Sequence, residues 1–62
     1  MFQPSYYIEV HDTNSIAWVR VAVERSVVAG KKRLASEAKK FAKANNPVKL
    51  RLRHKEEIIK LA

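Results

Sequence analysis

The chain has 62 residues, 47% of them hydrophobic and 31% charged, with a net charge of +7 at pH 7. That length allows one domain, residues 1–62, and the composition is that of a folding chain, not a disordered one. With no cysteine there is no disulfide and no thiolate metal site. The lack of cysteine fits a reducing compartment. No apolar run approaches a membrane span, and MFQPSYYIEV has no basic segment ahead of an apolar core, so no secretory signal is read and a cytoplasmic protein is expected. A core this small is marginal, which makes a homodimer or a core-sharing partner an open expectation.

The charge is concentrated. Residues 25–55 carry eleven Lys or Arg against a single acid, Glu37. The segments before and after that block are slightly acidic. A basic block of this size calls first for nucleic acid as a partner, then for an acidic protein surface, then for anionic lipid. Charge kept for solubility alone is the plainer alternative.

In chain order, SYYIEVH (5–11) alternates, with Tyr6, Ile8 and Val10 on one face and Tyr7, Glu9 and His11 on the other, which predicts a strand. DTNS (12–15) supplies turn formers for a hairpin loop. IAWVRVAVE (16–24) predicts a second strand. Its apolar face is Ala17, Val19, Val21 and Val23, and its other face is Trp18, Arg20, Ala22 and Glu24. RSVVAG (25–30) reads as a connection: Ser26 could cap a helix, but adjacent valines and Gly30 are poor helix formers, so the helix is expected to start near Gly30.

KKRLASEAKKFAKAN (31–45) predicts an amphipathic helix, with Leu34, Ala38, Phe41 and Ala42 on one stripe and Ala35 beside them. Asn45 and Asn46 can take the left-handed conformation that ends helices, and Pro47 blocks continuation. VKLRLRH (48–54) predicts a third strand, with Val48, Leu50 and Leu52 dry and Lys49, Arg51 and Arg53 wet. IIKLA (58–62) fits either a short fourth strand or a terminal helical turn. The expected fold is α+β: a two-layer ββαβ(β) domain whose small, mostly antiparallel sheet carries one amphipathic helix on one face. Pairing the third strand beside the first makes every neighbour antiparallel and is the preferred order over a parallel crossover beside the second.

A two-layer fold leaves one sheet face open. The two-residue period collects Tyr7, Glu9, His11, Trp18, Arg20, Lys49, Arg51 and Arg53 there. Aromatic rings among cations suit single-stranded nucleic acid, because bases stack on rings while Lys or Arg neutralise phosphates. In this respect the face is similar to the sheet surface of RNA-recognition motifs, although it has neither their aromatic-glycine signature nor enough residues for their four strands and two helices. The alternative is structural cover, with Arg20 or Arg51 stacked on Trp18, Glu9 and Glu24 paired with Arg20 and Arg51, or the C-terminal segment folded over Trp18. A second cationic candidate is the outer helix face, with Lys32, Lys39, Lys40 and Lys43, preceded by Lys31 and Arg33. Cations at a helix start oppose the macrodipole, a weak hint of another use.

Catalytic chemistry is poorly provided for. His11, His54, Asp12, Ser15, Ser26 and Ser36 form no recognisable nucleophile set, and Gly30 is the only glycine, so there is no phosphate-binding loop. Two histidines far apart in sequence are a poor metal signal. His54 reads as a strand-end residue near Glu56, or as added positive charge in mild acid. A non-enzymatic module without cofactor or metal is expected.

The leading expectation is therefore nucleic-acid binding through Tyr7, Trp18, Arg20, Lys49, Arg51 and Arg53, with Lys39 and Lys43 as helix-face contacts. The alternative is a small regulator docking on an acidic surface or sheet edge of a larger protein. Through YYIEV, AWVRV, the alanine-lysine helix and VKLRLR, the chain resembles the short ββαβ proteins of phage genomes, which implies inhibition or redirection of a host enzyme. Assembly through strand edges, and membrane-surface binding by the lysine helix, are lesser expectations.

Overall fold

The computed structural model describes residues 4–12, 17–46 and 48–62. Its elements run β1 (Tyr6–Asp12), β2 (Val19–Glu24), α1 (Val27–Lys43), β3 (Val48–His54) and β4 (Glu57–Leu61). The strands form one sheet in the order β2-β1-β3-β4, antiparallel at every junction. This is the expected α+β architecture with the third strand beside the first. The C-terminal segment is a strand, turned back on β3 through Lys55, whose φ is 55°. It forms the sheet edge opposite β2 and does not fold over Trp18. Of the expected loop at 12–15, Asp12 closes β1 and the remainder lies outside the described residues, as do Ile16 of the second strand and Pro47 of the helix stop.

The helix starts earlier than its residue types suggested. Ser26 is the N-cap, and its hydroxyl accepts from the Ala29 N–H. The cap outweighs the modest propensities of Val27 and Val28. Gly30 is buried, and a Cβ there would lie 2.8 Å from Cδ1 of Leu52, so glycine serves close helix–sheet approach. The earlier start also puts Lys31, Lys32 and Arg33 beyond the first turn, where the macrodipole is weak. Lys40 and Lys43, in the last turn, are favourably placed. At the C-terminus Asn45 takes φ 55°, the Asn45 N–H donates to Ala42 O and the Asn46 N–H to Phe41 O. These two bonds make a Schellman ending, as the asparagines predicted.

The core lies between α1 and the two central strands. Ile8, Val10, Leu34, Leu50 and Leu52 are buried, with Tyr6, Val21, Ala22, Ala38, Phe41, Val48 and Ile59 packed around them. Burying each large aliphatic side chain contributes about 1.5–3 kcal/mol. Ala35 and Ala42 are exposed; Glu37 takes the inner position instead, with Arg33 at 3.8 Å and Lys40 at 3.4 Å.

Two register shifts alter the faces. Ile8 pairs with Ala22 and Glu9 with Arg20, which leaves Val21 as an extra residue in β2. Beyond that bulge the alternation inverts. Ala22 and Glu24 turn to the helix side, and Val23 to the open side, where it is 40% exposed. Glu24 accordingly meets Arg33 of the helix at 3.8 Å, and not Arg20 or Arg51. Ala17 and Val19 are exposed and add little to the core. In β4, Leu52 pairs with Lys60 and Arg53 with Ile58, so Ile59 is the extra residue. Ile59 packs on the core while Ile58 and Leu61 fall on the open side.

Candidate functional site

The open face is a lattice of cross-strand neighbours. One row is Val23, Tyr7, Arg53 and Ile58; the next is Arg20, Glu9, Arg51 and Leu61; His11 and Lys49 begin a third. Residues directly opposite on neighbouring strands share a face, so this set follows from register alone. No described element packs over it.

Glu9 stands at its centre and is only 6% exposed. Its position is dictated by the strand: Ile8 and Val10 point into the core, so Glu9 must point away, between strands on either side. A buried carboxylate requires strong partners. Arg51 Nε donates to Glu9 Oε1 at 2.7 Å. Arg53 binds both oxygens, Nε to Oε1 and Nη2 to Oε2, each at 2.9 Å. Arg53 Nη1 donates to Lys55 O, so all three nitrogens of Arg53 have acceptors. Among the described residues no buried polar side-chain atom lacks a partner.

The electrostatics agree with this geometry. The Arg53 hydrogen bond holds the Glu9 carboxyl below its ordinary range, against the upward push of burial and with further help from Arg51. Reciprocally, Glu9 raises Arg53 further above its already high value. The group is therefore ion-paired throughout the physiological range.

The aromatic rings complete the surface. Arg51 Cζ lies 4.1 Å from the Trp18 ring centroid, and His11 tilts against the same ring at 5.3 Å. Tyr7 receives a guanidinium from each neighbouring strand, Arg20 at 4.0 Å and Arg53 at 5.1 Å. Cation–π contacts of this kind are worth about 0.5–2 kcal/mol according to desolvation. Trp18 and Tyr7 are half-buried, while Arg20 and Lys49 are exposed. The face thus carries Arg20, Lys49, Arg51 and Arg53 against one carboxylate, with guanidinium groups over both rings. Chemically it offers π-surfaces, flat guanidinium planes and excess positive charge.

The six open-face residues named from the sequence meet on one face, Trp18 from just ahead of β2 and not from within the strand expected to hold it. Lys39 and Lys43 do not join them; both are exposed on the far side of α1. Glu9 organises the face through Arg51 and Arg53, where the sequence offered Arg20 and Arg51 as partners. Its signal was a lone acid inside a central strand, opposite a strand with arginines at alternate positions. His54 is not engaged with Glu56: its ring stacks on Tyr6 at 4.6 Å, and Nδ1 lies 3.0 Å from Ser5 O. A carbonyl only accepts, so Nδ1 carries the proton.

Among the described residues no group of three His, Asp or Glu could hold a metal ion. Nor is any described helix long and apolar enough to cross a membrane. Comparisons with protein-family models, with curated proteins and with solved structures find no match to this chain.

Proposed function

We propose that this protein is a non-enzymatic binding module that takes single-stranded nucleic acid on its open sheet face. The observation that supports the reading is that Trp18 and Tyr7 share with Arg20, Lys49, Arg51 and Arg53 a face no described element covers; the Arg51–Trp18 stack by itself is equally what structural cover gives. Bases stack on aromatic rings and on guanidinium planes alike, at about 1–3 kcal/mol per base on an aromatic ring. Glu9 fixes Arg51 and Arg53 before a ligand arrives, which lowers the ordering cost of binding. Arg20 and Lys49, both exposed, supply phosphate contacts, and cysteine-free composition suits a cytoplasmic setting. The test is fluorescence anisotropy of a labelled oligothymidine at low salt. Binding that drops at least five-fold in both Tyr7→Leu and Trp18→Leu supports the reading; affinity unchanged in both removes it.

A second reading has its own observation. Val23, Ile58 and Leu61 are 40%, 42% and 68% exposed along the two edges of the same face. An apolar rim around a cationic centre also suits an acidic protein partner, bound in the manner of a small regulator. A partner captured from lysate that survives nuclease treatment favours this second reading; loss of all partners on nuclease treatment favours the first.

A further inference from the structure

Five of the six cations of α1 fall into two groups, with Lys31 apart from both. Arg33 and Lys40 turn toward acids, at 3.8 Å from Glu24 and Glu37 and at 3.4 Å from Glu37 respectively. Lys32, Lys39 and Lys43 lie on the outer side with Ser36, all exposed. They recur at seven and four positions, which keeps them within one narrow stripe of a 3.6-residue helix. The stripe runs about 16 Å along the axis at 1.5 Å per residue. No acid shares it, since Glu37 faces inward and is 6% exposed.

This stripe and the sheet site point in opposite directions. The inner side of α1 packs Leu34, Ala38 and Phe41 on the sheet, so its outer side faces away from Trp18 and Arg51. The smallest extent of the Cα trace is 15 Å. A strand lying on the open sheet face therefore cannot also lie along the lysines without wrapping an edge.

We infer that the protein bridges two segments of nucleic acid, holding a single strand on the sheet face and the phosphate backbone of a second segment along Lys32, Lys39 and Lys43. The second contact is electrostatic and independent of sequence. A row of exposed cations with no ion pair among the described residues matches a backbone that carries one negative charge per about 1.7 Å of duplex axis. A lipid surface is the poorer fit, because Val28 and Ala35 are the stripe's apolar neighbours and neither inserts deeply. The bridging inference rests on the sheet-face reading.

The experiment uses an immobilised mixed-sequence duplex, the full chain and a free fluorescent oligothymidine. Bound wild-type protein should capture the oligothymidine at low salt. The variant K32Q/K39Q/K43Q should reduce capture at least ten-fold, while oligothymidine still quenches Trp18. Its duplex affinity should depend less steeply on salt, by about two to three in the slope of log K against log salt. Gln preserves helix propensity, and all three sites are exposed, so the fold is kept. The charge-matched variant K31Q/K55Q/K60Q should capture as wild type does. Equal capture by K32Q/K39Q/K43Q and wild type, or duplex-bound wild type that captures nothing, overturns bridging. Oligothymidine binding with unmoved Trp18 emission overturns the sheet-face reading instead, and is distinguished from failure of the stripe by the salt slope.

Discussion

Glu9 and Arg53 meet through two parallel hydrogen bonds of 2.9 Å across the β1–β3 junction, with Glu9 all but buried on a face that no described element covers. Arg51 joins the same carboxylate at 2.7 Å. One acid thus orders two guanidinium groups, and each of those lies over an aromatic ring. Removing the carboxylate leaves two partly buried guanidinium groups without their shared acceptor.

Glu9→Gln separates two accounts by sign. If Glu9 only subtracts charge, its neutralisation strengthens oligonucleotide binding. Because it positions Arg51 and Arg53, we expect weaker binding, by about three- to ten-fold, together with a loss of about 1–3 kcal/mol of stability. Anisotropy and urea unfolding on the same variant check both. Tighter binding by Glu9→Gln contradicts the organising role.

The same carboxylate sets an acid limb. Its pKa is lowered on folding, so its contribution to stability is complete above the unfolded carboxylate value near 4.5 and is lost as pH falls through the lower folded value. Urea midpoints should therefore fall below about pH 4.5 in the wild type, and more shallowly in Glu9→Gln. Parallel pH profiles for the two proteins contradict this assignment.

Gly30→Ala tests the helix–sheet approach. Propensity alone favours alanine by about 1 kcal/mol. A Cβ at 2.8 Å from the fully buried Leu52 costs about 1–3 kcal/mol in displaced packing. The expected net is a loss of about 1 kcal/mol, read as a lower urea midpoint. A raised midpoint shows that Leu52 yields freely.

Ser26→Ala tests the early helix start. The Ala29 N–H loses its acceptor, and stability should drop by about 1 kcal/mol. Unchanged stability means the helix is effectively begun nearer Gly30.

Much of this architecture was legible in the sequence because periodicity carried it. Tyr6, Ile8 and Val10 against Tyr7, Glu9 and His11 placed β1 correctly, and Asn45 marked the helix end. Val21 and Ile59 defeated the same logic. An extra residue in a strand inverts every later side chain, and no composition cue distinguishes a bulged valine from a paired one. That inversion sent Glu24 to Arg33. Residue propensity hides the helix start, because the place of Gly30 is set by contact with Leu52. The aromatic-cation face was legible since it needs only alternation; its ordering by Glu9 required knowing that β1 lies between β2 and β3.

The central claim is that Trp18 lies in a ligand-binding surface, and the emission of this single tryptophan measures it most directly. Titration with a single-stranded oligonucleotide at low salt should quench or shift the emission saturably. With about four phosphates contacted, affinity should fall roughly fifty-fold between 50 and 200 mM salt. Emission that stays constant while an independent label reports binding, or no binding at low salt, contradicts the account.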